Sequence, residues 1–486
     1  MNDKQERIEY LFNPGSIAFI GATQAKIKWG FVIFNNLLCG GYSGKVYPVN
    51  PGLEEVMGLK CYPSVRDIPF DVDLAVFTVP AAQVLASMKD CLAKGIKAAL
   101  VISAGFRELG ERGAGMEAEL VAMAENAGIA MAGPNGQGVC CPANDLYPWM
   151  PIFYPRGGGM GFVSQSGNIL NMLIGHALDA GYGVSKAVSG GNEASLRTED
   201  YLAYLARDPG THVIVSYIEG VDRGREFFGQ AARATRSKPV VLLKGGRTAS
   251  GVRAARSHTG AIAVSEALFD SACRQAGVTL ARDIREAGVT ASAFVNRPLP
   301  RGRRVGIVTG GGGLGVLAAD ACAEHGLEVP ALSATTLETI GALLPPYWVP
   351  GNPVDLVAGL DLSVVRPVLE TVIRSGEVDS VLFIFIESQR SKGIRTIETS
   401  GLGFDVSAAW DMMTLQLGKY LEELYGIARE TGVPLYVASN FGLVQEPGQD
   451  RSADLDTCRF EDVESACRAM RAMADYREYR ECSTRG

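Results

Sequence analysis

The feature that most constrains this chain is a repeated alternation. Short β-branched, apolar runs end in glycine, proline or small hydroxyl residues, and each is followed by a stretch with helical spacing. Units of this kind build parallel sheets covered by helices, an α/β architecture. Ligands of such sheets bind outside the carboxyl ends of the strands. The turns that follow each apolar run are therefore where function is to be sought.

Three blocks show the pattern. The first runs over 10–140, with strands expected at 16–21, 45–49, 73–79, 97–103 and 129–132 and a helix over 111–126. The second runs over 155–298, with strands at 161–164, 183–189, 212–218 and 239–243 and helices over 169–180 and 225–236. The third follows an Arg-Pro-Leu-Pro-Arg-Gly linker at 297–302. Its strands are expected at 304–309, 380–386 and 435–438, and its end, from about 460, reads as an amphipathic helix. Residues 388–404 carry no pattern and read as a long loop. The implied domains are 1–140, 155–298 and 303–460, with a helical tail over 461–486.

Composition removes several function classes. A net charge of −7 argues against binding nucleic acid through its backbone. The best candidate for a membrane segment, 74–88, is interrupted by Pro80 and Gln83. The N-terminus is charged and leads into no signal-peptide core. The ten cysteines form no CxxC pair and no zinc-spaced cluster. The expectation is a cytoplasmic protein with reduced thiols, no metal site, no nucleic-acid partner and no membrane association.

In the first block the opening strand ends in Gly21-Ala22-Thr23, followed by Lys26, Lys28 and Gly30. Glycines at a strand–helix turn let backbone N–H groups approach a phosphate. A dinucleotide site would need G-x-G-x-x-G and an acid ending the second strand. Here the glycines fall at 21 and 30, and the second strand ends in Asn50-Pro51, which disfavours a nicotinamide-dependent dehydrogenase. The later strands end in Val79-Pro80, Ser103-Ala104-Gly105 and Gly-Pro-Asn135, all turns of ligand-binding type.

The second block has Ser164-Gln165-Ser166-Gly167 where a strand meets a helix. Such a junction is an anion site or an ordinary serine cap. Gly190-Gly191-Asn192 and Glu219 each follow a strand. Glu219 suits either a histidine partner or an acid at a helix start. Residues 253–261, Arg-Ala-Ala-Arg-Ser-His-Thr-Gly-Ala, put His258 among small residues. A neutral imidazole nitrogen there is free to act as a nucleophile, although a structural loop histidine reads the same way. His176, His212 and His325 read as structural.

These motifs together resemble a known family. Gly-Ala-Thr…Lys-x-Gly, Gly-Lys-Val-Tyr-Pro-Val-Asn-Pro, Ser-Ala-Gly-Phe and Gly-Pro-Asn resemble the CoA-binding domain of NDP-forming acyl-CoA synthetases, the acetate–CoA and succinyl–CoA ligase superfamily. The resemblance implies a Rossmann-like CoA-binding domain followed by two flavodoxin-like domains. It implies coenzyme A along Gly21, Ala22, Thr23, Lys28, Asn50, Pro51, Val79, Pro80, Ser103, Ala104, Gly105 and Asn135. Ser-x-Ser-Gly, Tyr-Ile-Glu-Gly and Ser-His-Thr-Gly-Ala resemble the family's phosphohistidine machinery. They imply His258 as the phosphorylated nucleophile, Glu219 as its support, and phosphate held by Ser164, Gln165, Ser166, Gly167, Gly190, Gly191 and Asn192.

Two departures stand out. Ser195 replaces the aspartate of the family's Ser-x-Gly-Asn-x-Ala-Asp turn, and Gly310 replaces the asparagine of Thr-Asn-x-Gly-Gly in the third block. The resemblance covers roughly 10–475 and includes no ATP-grasp module. It therefore implies an alpha subunit that works with an ATP-grasp beta subunit in an alpha2beta2-type assembly, with ADP or ATP and Mg on that partner. The substrates would be a small carboxylic acid and CoA. The competing reading is a non-catalytic CoA or acyl-CoA sensor with the same domains.

Overall fold

The computed structural model describes all residues except 1–2, 249, 252, 254–265, 358–361, 386–405, 440–458 and 486. It divides into two compact units, Met1–Ala291 and Ser292–Gly486.

The first unit holds two sheets. Strands β1 (Ser16–Ile20), β2 (Lys45–Val49), β5 (Leu74–Phe77), β6 (Ala98–Val101) and β7 (Ala130–Ala132) lie in the order β2-β1-β5-β6-β7, all parallel. A small hairpin, β3 (Glu55–Val56) and β4 (Leu59–Lys60), follows β2. Every residue of β5 and β6 is buried. Such unbroken apolar runs, without in–out alternation, mark strands covered on both faces. Helices Trp29–Cys39, Ala81–Lys94 and Glu111–Asn126 supply the cover. Glu111–Asn126 coincides with the expected helix.

The second sheet contains β8 (Gly138–Cys140), β9 (Gly157–Ser164), β10 (Val184–Ser189), β11 (Val213–Ile218), β12 (Val240–Lys244) and β13 (Thr279–Ala281), in the order β13-β12-β11-β9-β10-β8. Five strands run parallel, and β8 joins the edge antiparallel to β10. Strands β8 and β13 are three residues long, too short for a periodic signal, and the sequence reading has no strand there. One buried cluster runs from Phe19 of the first sheet and Phe34 of its covering helix Trp29–Cys39 through Val139 to Val163 and Ile214 of the second sheet.

The aromatic stretch after β8 is part of this packing. Tyr147 and Trp149 are buried, and the Tyr147, Trp149, Phe153 and Tyr154 rings contact one another. The Asn36 carboxamide donates to the carbonyls of Trp149 and Pro151 at 2.9 and 2.7 Å. The segment thus fastens the first sheet's helix to the chain leaving β8.

The second unit carries β14 (Val305–Thr309), β15 (Val354–Asp355), β16 (Ser380–Phe385), β17 (Leu435–Ser439) and β18 (Arg459–Phe460), parallel in the order β15-β14-β16-β17-β18. Helix Val463–Arg485 buries Ala466, Cys467, Met470 and Met473 and so belongs to this core. The stretch read as a long loop, 388–404, lies outside the described residues. The described cysteines are all free thiols, and no described helix is long and apolar enough to cross a membrane.

Candidate functional site

Register decides which turns meet. In the first sheet Ile20 pairs with both Val49 and Phe77, Phe77 with Val101, and Leu100 with Ala132. The turns starting at Gly21, Asn50, Val79, Ser103 and Asn135 therefore leave one carboxyl edge side by side. The Asn50 carboxamide donates to the Ala22 carbonyl at 2.8 Å and accepts from the Gly52 N–H at 2.9 Å, which fastens the first turn to the second. Asn135 donates its backbone N–H to the Ser103 carbonyl at 3.0 Å. Pro80 precedes helix Ala81–Lys94, and Lys28 precedes helix Trp29–Cys39, whose first turn has no acid and no side-chain cap. Lys26 and Lys28 are exposed beside those helix amides. A basic, uncapped helix start of this kind attracts phosphate.

The second sheet repeats the arrangement. Ser164 pairs with Ser189 on one side and Tyr217 on the other, and Ile218 pairs with Lys244. Four turns, beginning at Gln165, Gly190, Glu219 and Gly245, leave the edge as neighbours. The last of these turns leaves β12 next to Glu219, and the chain continues from it in sequence towards His258. His258 itself lies outside the described residues. Gly245 is held to glycine by crowding, since a Cβ there would sit 2.6 Å from the Tyr217 hydroxyl and 3.6 Å from Glu219 Cγ. The Tyr217 hydroxyl donates to Glu219 Oε1 at 3.4 Å. Lys244 donates its ammonium to the carbonyls of Gly245 and Gly246 at 3.0 and 3.3 Å, and burial lowers its pKa.

Not every residue of these turns faces outward. The Ser164 hydroxyl is buried, donates to the Ser166 carbonyl at 2.6 Å and accepts from the Ser166 N–H at 3.1 Å. Gln165 gives its backbone N–H to the Tyr217 carbonyl and its carboxamide hydrogens to Glu193 and Gly220. Neither Ser164 nor Gln165 keeps a donor for phosphate. Ser166 does not cap helix Gly167–Asp179 with its side chain, so the ordinary serine-cap reading does not hold, and the Ser166 side chain does not compete for the first-turn amides from Gly167 onward.

Asn192 is likewise committed. Its carboxamide donates to Glu108 and to buried Glu117, both at 2.8 Å, and accepts from Asn135 at 3.2 Å. It ties the first sheet to the second, and what the 190–192 turn offers a phosphate is backbone. Gly191 adopts φ +56, and a Cβ there would lie 2.3 Å from the Pro134 carbonyl oxygen. The turn passes too close to the first sheet for any side chain.

Comparison with known proteins shows what the edges belong to. Residues 15–142 match a CoA-binding domain, 157–294 a succinyl-CoA-ligase-like flavodoxin domain, and 305–389 a ligase-CoA domain. The alpha subunit of the ADP-forming acetate–CoA ligase II of Pyrococcus furiosus is 36% identical over 454 residues, which is 90% of this chain and 98% of that one. The chain belongs to the family of ADP-forming acid–CoA ligases. An ADP-forming acetate–CoA ligase of Archaeoglobus fulgidus is 36% identical over 427 residues, and there the match spans only 61% of the longer chain. A solved acetyl-coenzyme A synthetase of Candidatus Korarchaeum cryptofilum, in complex with phosphate and ADP, superimposes with a TM-score of 0.84 at 33% identity and covers 98% of both chains.

Within this ligase chain the structure adds residues that no motif marked. Glu193, Glu199 and Arg107 line a small cavity together with Gln165, Gly191 and Gly220. Burial, reinforced by the nearby Glu193 carboxylate, pushes the Glu199 carboxyl up to about 7. A folded-state pKa above the unfolded one means the native state holds its proton longer. Stability contributed by that proton is full below the unfolded value, near 4.5, and is lost as pH rises towards 7. Glu199→Gln, a permanently neutral isostere, is therefore expected to raise the melting temperature at pH 8 and leave it unchanged at pH 4. The gain, discounted for solvent in the cavity, is on the order of 1 kcal/mol, or about 2–4 °C. Melting curves at the two pH values check this.

The glycine-rich turn of the third sheet differs from the other edges. Helix Gly312–Glu324 follows β14, and a Cβ on Gly312 would lie 2.8 Å from the Asp355 carboxylate. A carboxylate of the chain itself thus sits at the helix start, where the dipole favours negative charge. The Asn352 side chain accepts from the Ile307 N–H and donates to the carbonyls of Val305 and Pro330, each at 2.9 Å, so it supports the β14 edge from within.

The remaining histidines lie as expected. His176 is in helix Gly167–Asp179, and His212 precedes β11. His325, at a helix C-terminus, bonds Glu464 at 2.8 Å. Among the described residues no group of His, Cys, Asp or Glu can hold a metal.

Proposed function

We propose that this chain is the CoA- and phosphohistidine-bearing alpha subunit of an NDP-forming acid–CoA ligase. The reaction interconverts acyl-CoA, ADP and phosphate with carboxylic acid, CoA and ATP. Phosphate attacks the thioester carbonyl, releasing CoA as its thiol and forming acyl phosphate. A ring nitrogen of His258 then attacks phosphorus and releases the carboxylate. Phospho-His258 carries the phosphoryl group to ADP on an ATP-grasp beta subunit, where Mg and nucleotide bind, in an alpha2beta2-type complex of the cytoplasm. A mobile covalent carrier lets two sites share one group without ATP and CoA meeting.

The observation that carries this reading is register. β11 and β12 end together, so the His258 segment starts beside Glu219 and across from the helix start at Gly167 and the glycine turn at 190–191. Glu219 accepts a ring N–H of His258 and keeps the opposite nitrogen unprotonated and aimed. The amides from Gly167 onward and the 190–191 backbone hold the transferring phosphate. CoA lies along the first sheet's edge, from Gly21, Ala22 and Thr23 past Asn50–Pro51 and Val79–Pro80 to Ser103, Ala104, Gly105 and Asn135, with its phosphates at Lys28.

Calorimetric titration with CoA tests the first half. Lys28→Ala is expected to weaken CoA about tenfold, the value of one ammonium–phosphate contact near a surface. An unchanged affinity removes Lys28 from the site. Coupled assay with a beta subunit over a panel of carboxylic acids tests the second half. CoA binding without turnover of any acid would leave only the sensor reading.

A further inference from the structure

The Gln165 carboxamide joins three turns of the second sheet. Its Oε1 accepts the Glu219 N–H at 2.7 Å, and its Nε2 donates to the Gly220 carbonyl at 3.2 Å and to Glu193 Oε2 at 3.0 Å. Glu193 Oε1 accepts the Thr198 hydroxyl hydrogen at 2.7 Å, and the Glu193 N–H donates to the Gly190 carbonyl at 3.0 Å. Glu193 is buried and adopts φ +50, a backbone state that few side chains tolerate without a reason.

We propose that Glu193 is a positioning residue for Glu219, acting through Gln165. A carboxylate can only accept hydrogen bonds, whereas a carboxamide has one accepting and one donating end. Glu193 therefore fixes which end of Gln165 faces it. The Gln165 oxygen is left for the Glu219 N–H, and its second hydrogen for the Gly220 carbonyl. With the amide reversed, Nε2 would oppose the Glu219 N–H and Oε1 would oppose the carboxylate. The orientation is thus locked, and with it the height at which the chain carrying Glu219 leaves β11. The sequence motif that resembles the family leaves the 193 position open.

The inference rests on the reading that Glu219 serves phosphoryl transfer to His258, and the test separates the two. Gln165→Glu sets two carboxylates against each other and removes both donors. With the beta subunit present, kcat is expected to fall about 100-fold, the cost of displacing a reacting group by about 1 Å, with the Kd for CoA unchanged within twofold. Adding Glu193→Gln returns a donor between the two side chains, and the double variant is expected to regain at least tenfold in kcat. Glu193→Gln alone keeps the volume and loses the lock, and is expected to lower kcat about tenfold at unchanged KM for CoA.

A double variant no faster than Gln165→Glu, or a Glu193→Gln enzyme as fast as wild type, overturns the proposal. Should Gln165→Glu fail to fold, as judged by its melting curve, the isosteric Glu193→Gln result decides alone. Wild-type chain that takes no phosphate from ATP overturns instead the underlying reading.

Discussion

His258→Ala is expected to abolish acyl-CoA synthesis, a loss of at least about 10⁴-fold in kcat, while CoA binding stays within twofold of wild type. The expectation follows from the chemistry assigned to each edge. The imidazole nitrogen is the phosphoryl acceptor proposed for this site, and removing it removes the nucleophile best suited to phosphorus near neutral pH. CoA is proposed to bind on the turns of the first sheet, so its affinity is expected to stay unchanged. Steady-state rates with a beta subunit, together with calorimetric titration of CoA, check both parts. A variant that retains a tenth of wild-type rate would require another phosphoryl carrier.

Asn192→Asp is expected to destabilise the first unit by about 3 kcal/mol at pH 7, and by less at pH 5. The substitution changes one heavy atom, but it replaces two N–H donors with an oxygen facing Glu108 and Glu117, each 2.8 Å from that position. Hydrogen bonds to charged groups are worth about 1.5–3 kcal/mol each, and losing them leaves carboxylates opposed. For Glu108 burial raises the pKa, but the bond from Asn192 and the Gly105 and Phe106 amides outweigh it, and the net direction is downward. Removing the Asn192 bond and adding a like charge pushes that carboxyl up. The variant then binds protons more readily when folded, so acidification relieves the strain. Urea unfolding at the two pH values measures it. Equal destabilisation at both would show that charge repulsion is not the cause.

The difference between what sequence and structure reveal is visible in these residues. Each strand that ends in a small, ligand-type turn was readable, because a buried parallel strand is an unbroken apolar run and its turn must be compact. Gly21, Ser164, Ser189 and Glu219 accordingly fall at strand exits, and helix 111–126 needed no adjustment. Edge strands β8, β13, β15 and β18 have two or three residues and owe their conformation to their neighbours, so local pattern carries no trace of them. The roles of Gln165 and Asn192 were hidden for another reason. Motif spacing says that a polar side chain stands at a turn, but whether it faces a ligand or a neighbouring turn depends on contacts 28 to 84 residues away. The signal available was Glu193, a carboxylate next to the motif in an otherwise small and uncharged turn.

The central claim, that this chain passes a phosphoryl group through His258, is most directly tested by labelling. The full-length chain is mixed with an ATP-grasp beta subunit and ATP carrying a radioactive γ-phosphate, and the label on this chain is then characterised. The account predicts one acid-labile, base-stable phosphate per chain, discharged by carboxylic acid and CoA and absent from His258→Ala. Label that persists in His258→Ala, or a wild-type chain that turns over without becoming labelled, would contradict it.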